Sequence, residues 1–393
     1  MHFLLGDPAA VEEAPEVPFH PLRVDLLADL SKVLMADPRA KAYPDLVTFA
    51  FACRRAHLEG YARAWEPGKV RLGLGLVFHV TPSNVPINAA YSLLFAFLAG
   101  NASLVRLPSR DSVQMALLIE ALGGLLAEPR YAPLRPAIHL VRYERADEVT
   151  SFWTERALGR VVWGGDATVA HLRSMNLHPR SREVAFPDRY SLCALDAARV
   201  LEADEADLQT LARGMYLDLY LMDQMACSSP QLVAWVGPEA EVARAQARLW
   251  PRVVDQAKGA YALEPIHAMD RFVDLCLDLL DHGNIARVDM AGPWLTRVGL
   301  SGFAVRQTRQ RGRFGTVHEV GVPSLDALAP LVDPSFQTLT QFGFEREHLR
   351  AFVLSNRLAG IDRIVPVGRS LDMGFAWDGF EVLAALSRLV DIQ

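Results

Sequence analysis

The chain is poor in cysteine. Its 393 residues hold four, Cys53, Cys193, Cys227 and Cys276, widely spaced and without a CxxC pair. That excludes a disulfide framework or a cysteine-rich zinc site, and reads as reduced thiols of a cytoplasmic protein. No GxGxxG follows a strand-like run, so the ordinary dinucleotide fingerprint is missing. Long apolar runs are missing too. The greasiest, "AAYSLLFAFLA" from Ala89 to Ala99, has 11 residues where a membrane span needs roughly 20, so it reads as a buried helix. The start, "MHFLLGDPAAVEEAPEVP", has a short apolar run followed by glutamates, which is not a secretory signal. A net charge of −6 gives no reason to expect nucleic-acid binding.

What is present is an ordinary core-forming composition, 51% hydrophobic and 22% charged, on a chain long enough for two domains. The first seventy residues look helical, as in "DLLADLSKVLMA" and "DLVTFAFACRRAHLEGYARAW". From Val70, strand-like runs ("RLGLGLVFHV", "SLVRL", "AIHLVR", "RVVW") alternate with helical ones. Those helices are "AAYSLLFAFLA", stopped by Gly100-Asn101, "DSVQMALLIEALGGLLAE", opened by Asp111 as cap, "EVTSFWTERAL" and "ATVAHLRSM". Strands separated by helices of this length imply α/β architecture, a parallel sheet covered on both faces. A second series follows Asp196, with strands at "QLVAWV", "GFAVRQ" and "GTVHEVGV" and long helices between. Ligands of such sheets bind beyond the carboxyl ends of strands.

Four stretches carry candidate chemistry, each with a plainer alternative. "HVTPSNVPINAAY" sets two prolines around Ser83-Asn84; Asn84 is either a turn residue or an amide donor on a loop. "LAGNASLVRLPSRDS" leaves Arg106 and Arg110 near a strand's end, as a solvated basic edge or as a phosphate clamp. In "VVWGGDATVAHL" the Gly164-Gly165 pair opens a helix whose first amides can face a pyrophosphate, while Asp166 is alternatively a simple cap. In "MDQMACSSPQ", Cys227 precedes Ser228, Ser229 and Pro230, a turn before a strand. Cys53, Cys193 and Cys276 lie in apolar patterns and read as inert fillers; a thiol on a turn can be reached by substrate.

In their order along the chain, these segments resemble the aldehyde dehydrogenase superfamily, and more closely the acyl-CoA reductases of the bacterial luminescence (LuxC) type. "TPSNVP", "LAGNASLVRLPS", "VVWGGD" and "DQMACSSPQ" carry the likeness, and "GIDRIVPVGRSLDMGFAWDGF" is characteristic of the luminescence branch. The resemblance implies an aldehyde-dehydrogenase-like fold, with residues 1–195 as helical segment plus NADP-binding domain and 196–360 as catalytic domain. Residues 361–393 would pack back on the cofactor domain. It implies that Cys227 is the nucleophile, with Asn84 and the Cys227 amide as oxyanion donors. Cofactor contacts would fall on Thr81, Pro82, Ser83, Arg106, Pro108, Ser109, Arg110, Gly164, Gly165, Asp166 and Phe314.

Departures from the family pattern refine this. The general-base glutamate of aldehyde-oxidising members aligns with Ala185, Glu183 lying two residues earlier. Arg110 stands where NAD-preferring members carry an acid for the ribose, which favours NADPH. Gly312 replaces the glutamate of the nicotinamide-ribose element at "RFGTVHEV". The expected activity is NADPH-dependent reduction of a fatty acyl thioester to the aldehyde through an acyl-cysteine. The rivals are a short-chain CoA-acylating aldehyde dehydrogenase using NAD and a silent acyl-carrying subunit. The resemblance further implies an acyl-CoA or acyl-protein donor, an acyl-protein synthetase partner and a homo-oligomer.

Overall fold

A short segment that is apolar all round is satisfied only by protein on every side. The run at Ala89 is such a segment: Asn88–Leu98 is a helix with each residue from Ala89 onward buried. It stops at Gly100, whose φ of +93° suits glycine and whose added Cβ would meet the Glu16 carbonyl oxygen at 2.1 Å. Asn101 then ties the stop down. Its side chain accepts from the Leu74 amide at 2.6 Å and donates to the Ala96 and Leu386 carbonyls at 3.0 and 2.8 Å.

The computed structural model describes residues 1–65, 68–304 and 307–393, and divides into two units, Met1–Asp188 with Phe375–Gln393, and Arg189–Gly374. The first unit runs β1 (His2–Leu5), α1 (Pro21–Ala36), α2 (Pro44–Ala52), α3 (Arg55–Ala64), β2 (Val70–Gly73), β3 (Leu76–Val80) and α4 (Asn88–Leu98). It continues with β4 (Ala102–Arg106), α5 (Val113–Ala127), β5 (Ile138–Arg142), α6 (Asp147–Arg156), β6 (Gly159–Trp163), α7 (Asp166–Arg173) and β7 (Arg182–Phe186). Its six-stranded sheet has the order β1-β5-β4-β3-β6-β7, parallel except for β1. The chain steps outward from β3 to β5, then returns to the other side of β3 for β6. The carboxyl ends of β3 and β6 therefore flank the reversal point where doubly wound sheets bind ligands.

Two local expectations change here. "RLGLGLVFHV" is two strands, broken at Gly75 with φ +115°; β2 instead pairs antiparallel with Ser387–Val390. The α5 cap is Ser112, whose hydroxyl accepts from the Met115 amide at 3.3 Å. Asp111 is exposed and pairs with Arg142 at 2.5 Å.

The second unit runs β8 (Tyr190–Asp196), α8 (Ala197–Glu202), α9 (Glu205–Tyr220), β9 (Pro230–Val236), α10 (Glu239–Ala260) and α11 (Pro265–Asp281). Then come β10 (Ile285–Ala291), β11 (Leu295–Leu300), β12 (Thr316–Val322), β13 (Phe336–Phe342), α12 (Arg346–Asn356) and β14 (Arg363–Pro366). The seven-stranded order is β10-β11-β12-β9-β8-β13-β14, with only the β10–β11 pair antiparallel. Period-two alternation sends Val233 and Trp235 into one core and Leu232 and Ala234 into the other, so both faces are covered. The division between units falls after Asp188, ahead of β8, and again after Gly374. Among the described residues of "GFAVRQ", Gly302–Ala304 are not strand and Gln307 opens a 3-10 turn; Val305 and Arg306 lie outside them. The strands before β12 are the β10–β11 hairpin, turned through Gly292 with φ +65°. No helix among the described residues is long and apolar enough to cross a membrane.

Candidate active site

In the first unit, strand register brings three sequence motifs to one edge. Val80 is paired with Arg106 on β4 and with Val162 on β6, so the loops at 81–84, 107–110 and 163–166 leave the sheet side by side. Thr81 is buried and its hydroxyl donates to the Arg106 carbonyl at 2.8 Å, fixing the loop's root. Pro82 is half-buried, Ser83 and Asn84 are exposed, and Val85 and Ile87 anchor the loop in the core. Asn84 is thus held at a defined place with its amide outward. Pro108 accepts from Arg142 Nε at 3.0 Å, while Ser109 and Arg110 are exposed.

A cavity of about 710 Å³ opens at this edge, lined by Val80, Arg106, Arg145, Thr168, His171 and Leu172 among others. The Arg106 guanidinium lies 4.6 Å over the Tyr143 ring, and its Nε is buried without a hydrogen-bond partner. Asp147 and Glu148 line the cavity as well, so the two guanidiniums are matched by two carboxylates; its size and the orphaned Arg106 donor are what suit a phosphate-bearing dinucleotide. Gly164 backs onto Thr168, where a Cβ would stand 3.2 Å from the side chain, while Gly165 faces open space. Asp166 is not the cap of α7. Gly165 holds that position, and the Asp166 carboxylate accepts from the Asp188 amide at 3.2 Å. Arg145 lies in no sequence motif, and His171, although inside "VVWGGDATVAHL", drew no functional reading there; the fold brings both to the cavity.

In the second unit, Cys227 sits on the turn between α9 and β9, half-buried and at the amino-terminal edge of its sheet. Carboxyl ends are the usual ligand side; here the connection from α9 enters the sheet and brings the thiol in from the opposite edge. The turn is forced and braced. Asp223 and Gln224 have φ of +53° and +62°, a costly conformation for residues other than glycine. The buried Gln224 amide donates to the Pro230 and Thr316 carbonyls at 3.0 and 2.8 Å. Gln231 donates to the Gln224 carbonyl at 2.9 Å and accepts from the Gly312 amide at 2.8 Å. Ser191 Oγ donates to the Cys227 carbonyl at 2.7 Å. Gln224 and Gln231 lie within or beside the "DQMACSSPQ" stretch, yet their bracing role was not legible from it.

The other thiols differ. Cys53 and Cys193 are sealed in, and burial pushes both thiols up, Cys193 to about 12. Cys276 departs from the expected core position: it is exposed on α11. None of the four forms a disulfide.

Phe314 is buried, with φ +56°, its ring stacked on His267 at 4.3 Å and its amide donating to the Asp223 carbonyl at 3.2 Å. The "RFG" element is therefore bonded to the turn that carries Cys227. A Cβ at Gly312 would meet the Thr316 carbonyl oxygen at 2.0 Å, so this backbone has no room for a glutamate there.

The alternative acids and bases are engaged elsewhere. Ala185 is buried in β7. Glu183 pairs with the fully buried Arg160, Nε donating at 2.8 Å, and with Arg173 at 2.7 Å. Glu183→Ala would strand the Arg160 charge in the interior, so stability should fall by about 3–5 kcal/mol. Thermal melting reads that loss. His318 is also buried, its Nε2 2.8 Å from Asp278 Oδ2.

A family model described as acyl-CoA reductase (LuxC) matches residues 47–256, just over half of the 393-residue chain. The chain belongs to the LuxC family. The matched region contains both Asn84 and Cys227. A long-chain acyl-protein thioester reductase of Photorhabdus luminescens is 23% identical over 337 residues, covering 84% of this chain and 64% of that protein. One from Vibrio harveyi is 25% identical over 225 residues, 54% of this chain and 42% of that protein. The chain thus spans less than two thirds of these relatives. Among solved structures, aldehyde dehydrogenase 21 of Physcomitrella patens aligns with a TM-score of 0.65 at 13% identity, covering 94% of this chain and 85% of that one. A 1-pyrroline-5-carboxylate dehydrogenase of Thermus thermophilus gives 0.63 at 14%, covering 94% and 80%. This LuxC-family chain has the aldehyde dehydrogenase fold.

Proposed function

We propose that the protein reduces a fatty acyl thioester to the aldehyde, with NADPH as reductant and Cys227 as the acyl carrier. The observation that carries this reading is the half-buried Cys227 on a strained turn fixed by Gln224, Gln231 and Ser191. Such bracing is what a nucleophile needs and an inert core thiol does not. The name shared by the Photorhabdus and Vibrio relatives favours an acyl-protein donor alongside acyl-CoA.

The Cys227 thiolate attacks the thioester carbonyl, forming a carbon–sulfur bond and a tetrahedral oxyanion. The Asn84 side chain and the Cys227 amide are the proposed donors to that oxygen. Collapse expels the donor thiolate and leaves acyl-Cys227, itself a thioester and still electrophilic. Reduced nicotinamide, when bound, supplies the hydride that brings this carbonyl to the aldehyde level. Cys227 then leaves as thiolate. With Ala185 at the base position and Glu183 held by two arginines, no carboxylate of β7 is set to activate water against the acyl-enzyme. That favours reduction over hydrolysis.

Arg106 and Arg145 line the cavity, and Arg110 lies on the adjacent loop; these would hold the cofactor's phosphates. Arg110→Glu should lower the NADPH-to-NADH ratio of kcat/KM by roughly tenfold or more, the size of one charge-assisted hydrogen bond. An unchanged ratio contradicts the assignment. The function itself is tested by supplying acyl-CoA thioesters of increasing chain length with NADPH and measuring aldehyde. Long-chain aldehyde formation supports the proposal; acid as the product, or no reduction of any thioester, overturns it.

A further inference from the structure

Helix α11 is turned the wrong way for a surface helix. An amphipathic helix on a protein's surface normally buries its apolar stripe and shows its charges to water. Here most of the charges turn inward. Arg271 is buried and donates to the Phe314 and Pro293 carbonyls at 3.0 and 2.7 Å. Asp274 accepts from Arg313 Nε at 2.5 Å, Asp270 lies 3.5 Å from the same guanidinium, and Asp278 is 2.8 Å from His318 Nε2. Leu275 is the one buried apolar residue of the helix. Ile266, Met269, Phe272, Val273, Leu277 and Leu280 are instead 47–82% exposed. At about 3.6 residues per turn, these side chains and Leu279 share an arc of roughly 160° that contains no charged residue. On the order of 700 Å² of apolar surface is thereby left in water, taking ~150–200 Å² for a whole side chain of this size. The largest patch on an ordinary monomer is about 300–600 Å², and one side of a stable interface is about 800 Å².

The spacing shows what fits this face. Along its centre run Ile266, Met269, Val273, Leu277 and Leu280, at steps of three, four, four and three, a series that reads the same from both ends. A second α11 laid antiparallel about a two-fold axis at Val273 therefore sets Ile266 opposite Leu280, Met269 opposite Leu277, and Val273 against its own copy. The same register brings Glu264, just before the helix, level with His282, just after it. Asp270, Asp274 and Asp278 do not oppose the pairing, because each is held by Arg313 or His318 of its own chain. A lipid surface fits less well. Interfacial helices carry Lys and Arg along their polar face, whereas α11 has no lysine and a single arginine, which is buried.

We propose that α11 is a docking face for a second copy of this chain, the two helices packing antiparallel about Val273. Covering both arcs buries about 1,400 Å² in all, within the range of specific complexes, and an apolar core is usual where identical chains meet. Such pairing does not depend on the role of Cys227.

The test is mass in solution, by sedimentation equilibrium on the full chain from about 1 to 100 µM. Wild type should have twice the 43.4 kDa of the single chain. Val273→Glu places two like charges at the two-fold axis, so it should raise the dimer dissociation constant at least a hundredfold and leave the single-chain mass. In one chain alone that position is in water, so the variant should fold. Independently, Val273→Cys on a Cys276→Ser background should form a disulfide with its own copy under mild oxidation, located at residue 273 by peptide mapping. If Val273→Glu fails to fold, that cross-link alone decides. A wild-type chain that stays single across the range overturns the proposal, and binding of that single chain to phosphatidylcholine vesicles would assign the face to lipid instead. A wild-type dimer that Val273→Glu leaves intact, with no link through residue 273, puts the contact elsewhere and overturns it as well.

Discussion

Cys227→Ala protein should take no acyl group from a thioester and release no aldehyde, a loss on the order of 10⁵-fold or more in turnover. The size follows from the role. Without the sulfur there is no covalent intermediate, and the remaining donors have no tetrahedral adduct to stabilise. Cys227 is half-buried on a turn, so the lost volume is small and the fold should survive with little change in melting. Cys53→Ala and Cys276→Ala are the matched controls. Cys53 is sealed in the first unit's core and Cys276 is exposed on α11, so each should keep the chemistry intact. Cys53→Ala alone should show a modest drop in melting temperature from the cavity it leaves. Turnover and acyl uptake, measured together on the three variants, distinguish one reactive sulfur from a general effect of thiol loss.

The second large effect is at Asn84. Asn84→Ala should lower kcat on the order of a hundredfold, the cost of removing one donor aimed at a developing oxyanion. Val85 and Ile87 anchor the loop, and Thr81 fixes its root through the Arg106 carbonyl, so the loop keeps its course when the exposed amide is trimmed. Melting should therefore be unchanged, and KM should move much less than kcat, because the interaction belongs to the transition state. Asn84→Asp is a sharper version: it keeps the size, replaces the donor with a negative charge, and should be at least as slow. If kcat for both variants stays within twofold of wild type, Asn84 is a turn residue and no more.

Much of this was legible because it was written locally. An 11-residue apolar run ending in Gly-Asn has few ways to be buried, and α4 is the helix it suggested. A thiol followed by Ser-Ser-Pro and the apolar run "QLVAWV" suggested a turn before a strand, and Cys227 has that place. What escaped was set by contacts distant in sequence. Asp111 and Ser112 are both good caps, and the choice fell to Ser112 because Arg142 draws Asp111 away. The hairpin β10–β11 carries Arg287, Asp289 and Arg297 among its apolar residues, and these charges, paired within the sheet, interrupt the alternation that marks a strand. Cys276 shares a helix with leucines, but its direction around α11 leaves it in solvent. Arg145 lies in no motif, and Gln224 lies inside "DQMACSSPQ", which gives no sign of the carbonyls it holds. Each matters through partners that the chain reaches only after folding.

The central claim is that one sulfur accepts the acyl group and then gives it up to reduction. The most direct measurement is the intact mass of the protein after incubation with an acyl-CoA, without and then with NADPH, with the modified peptide identified. The account predicts one acyl group on the Cys227 peptide that disappears on adding NADPH as the aldehyde appears. An adduct on another residue, or one on Cys227 that persists with NADPH present, would contradict it.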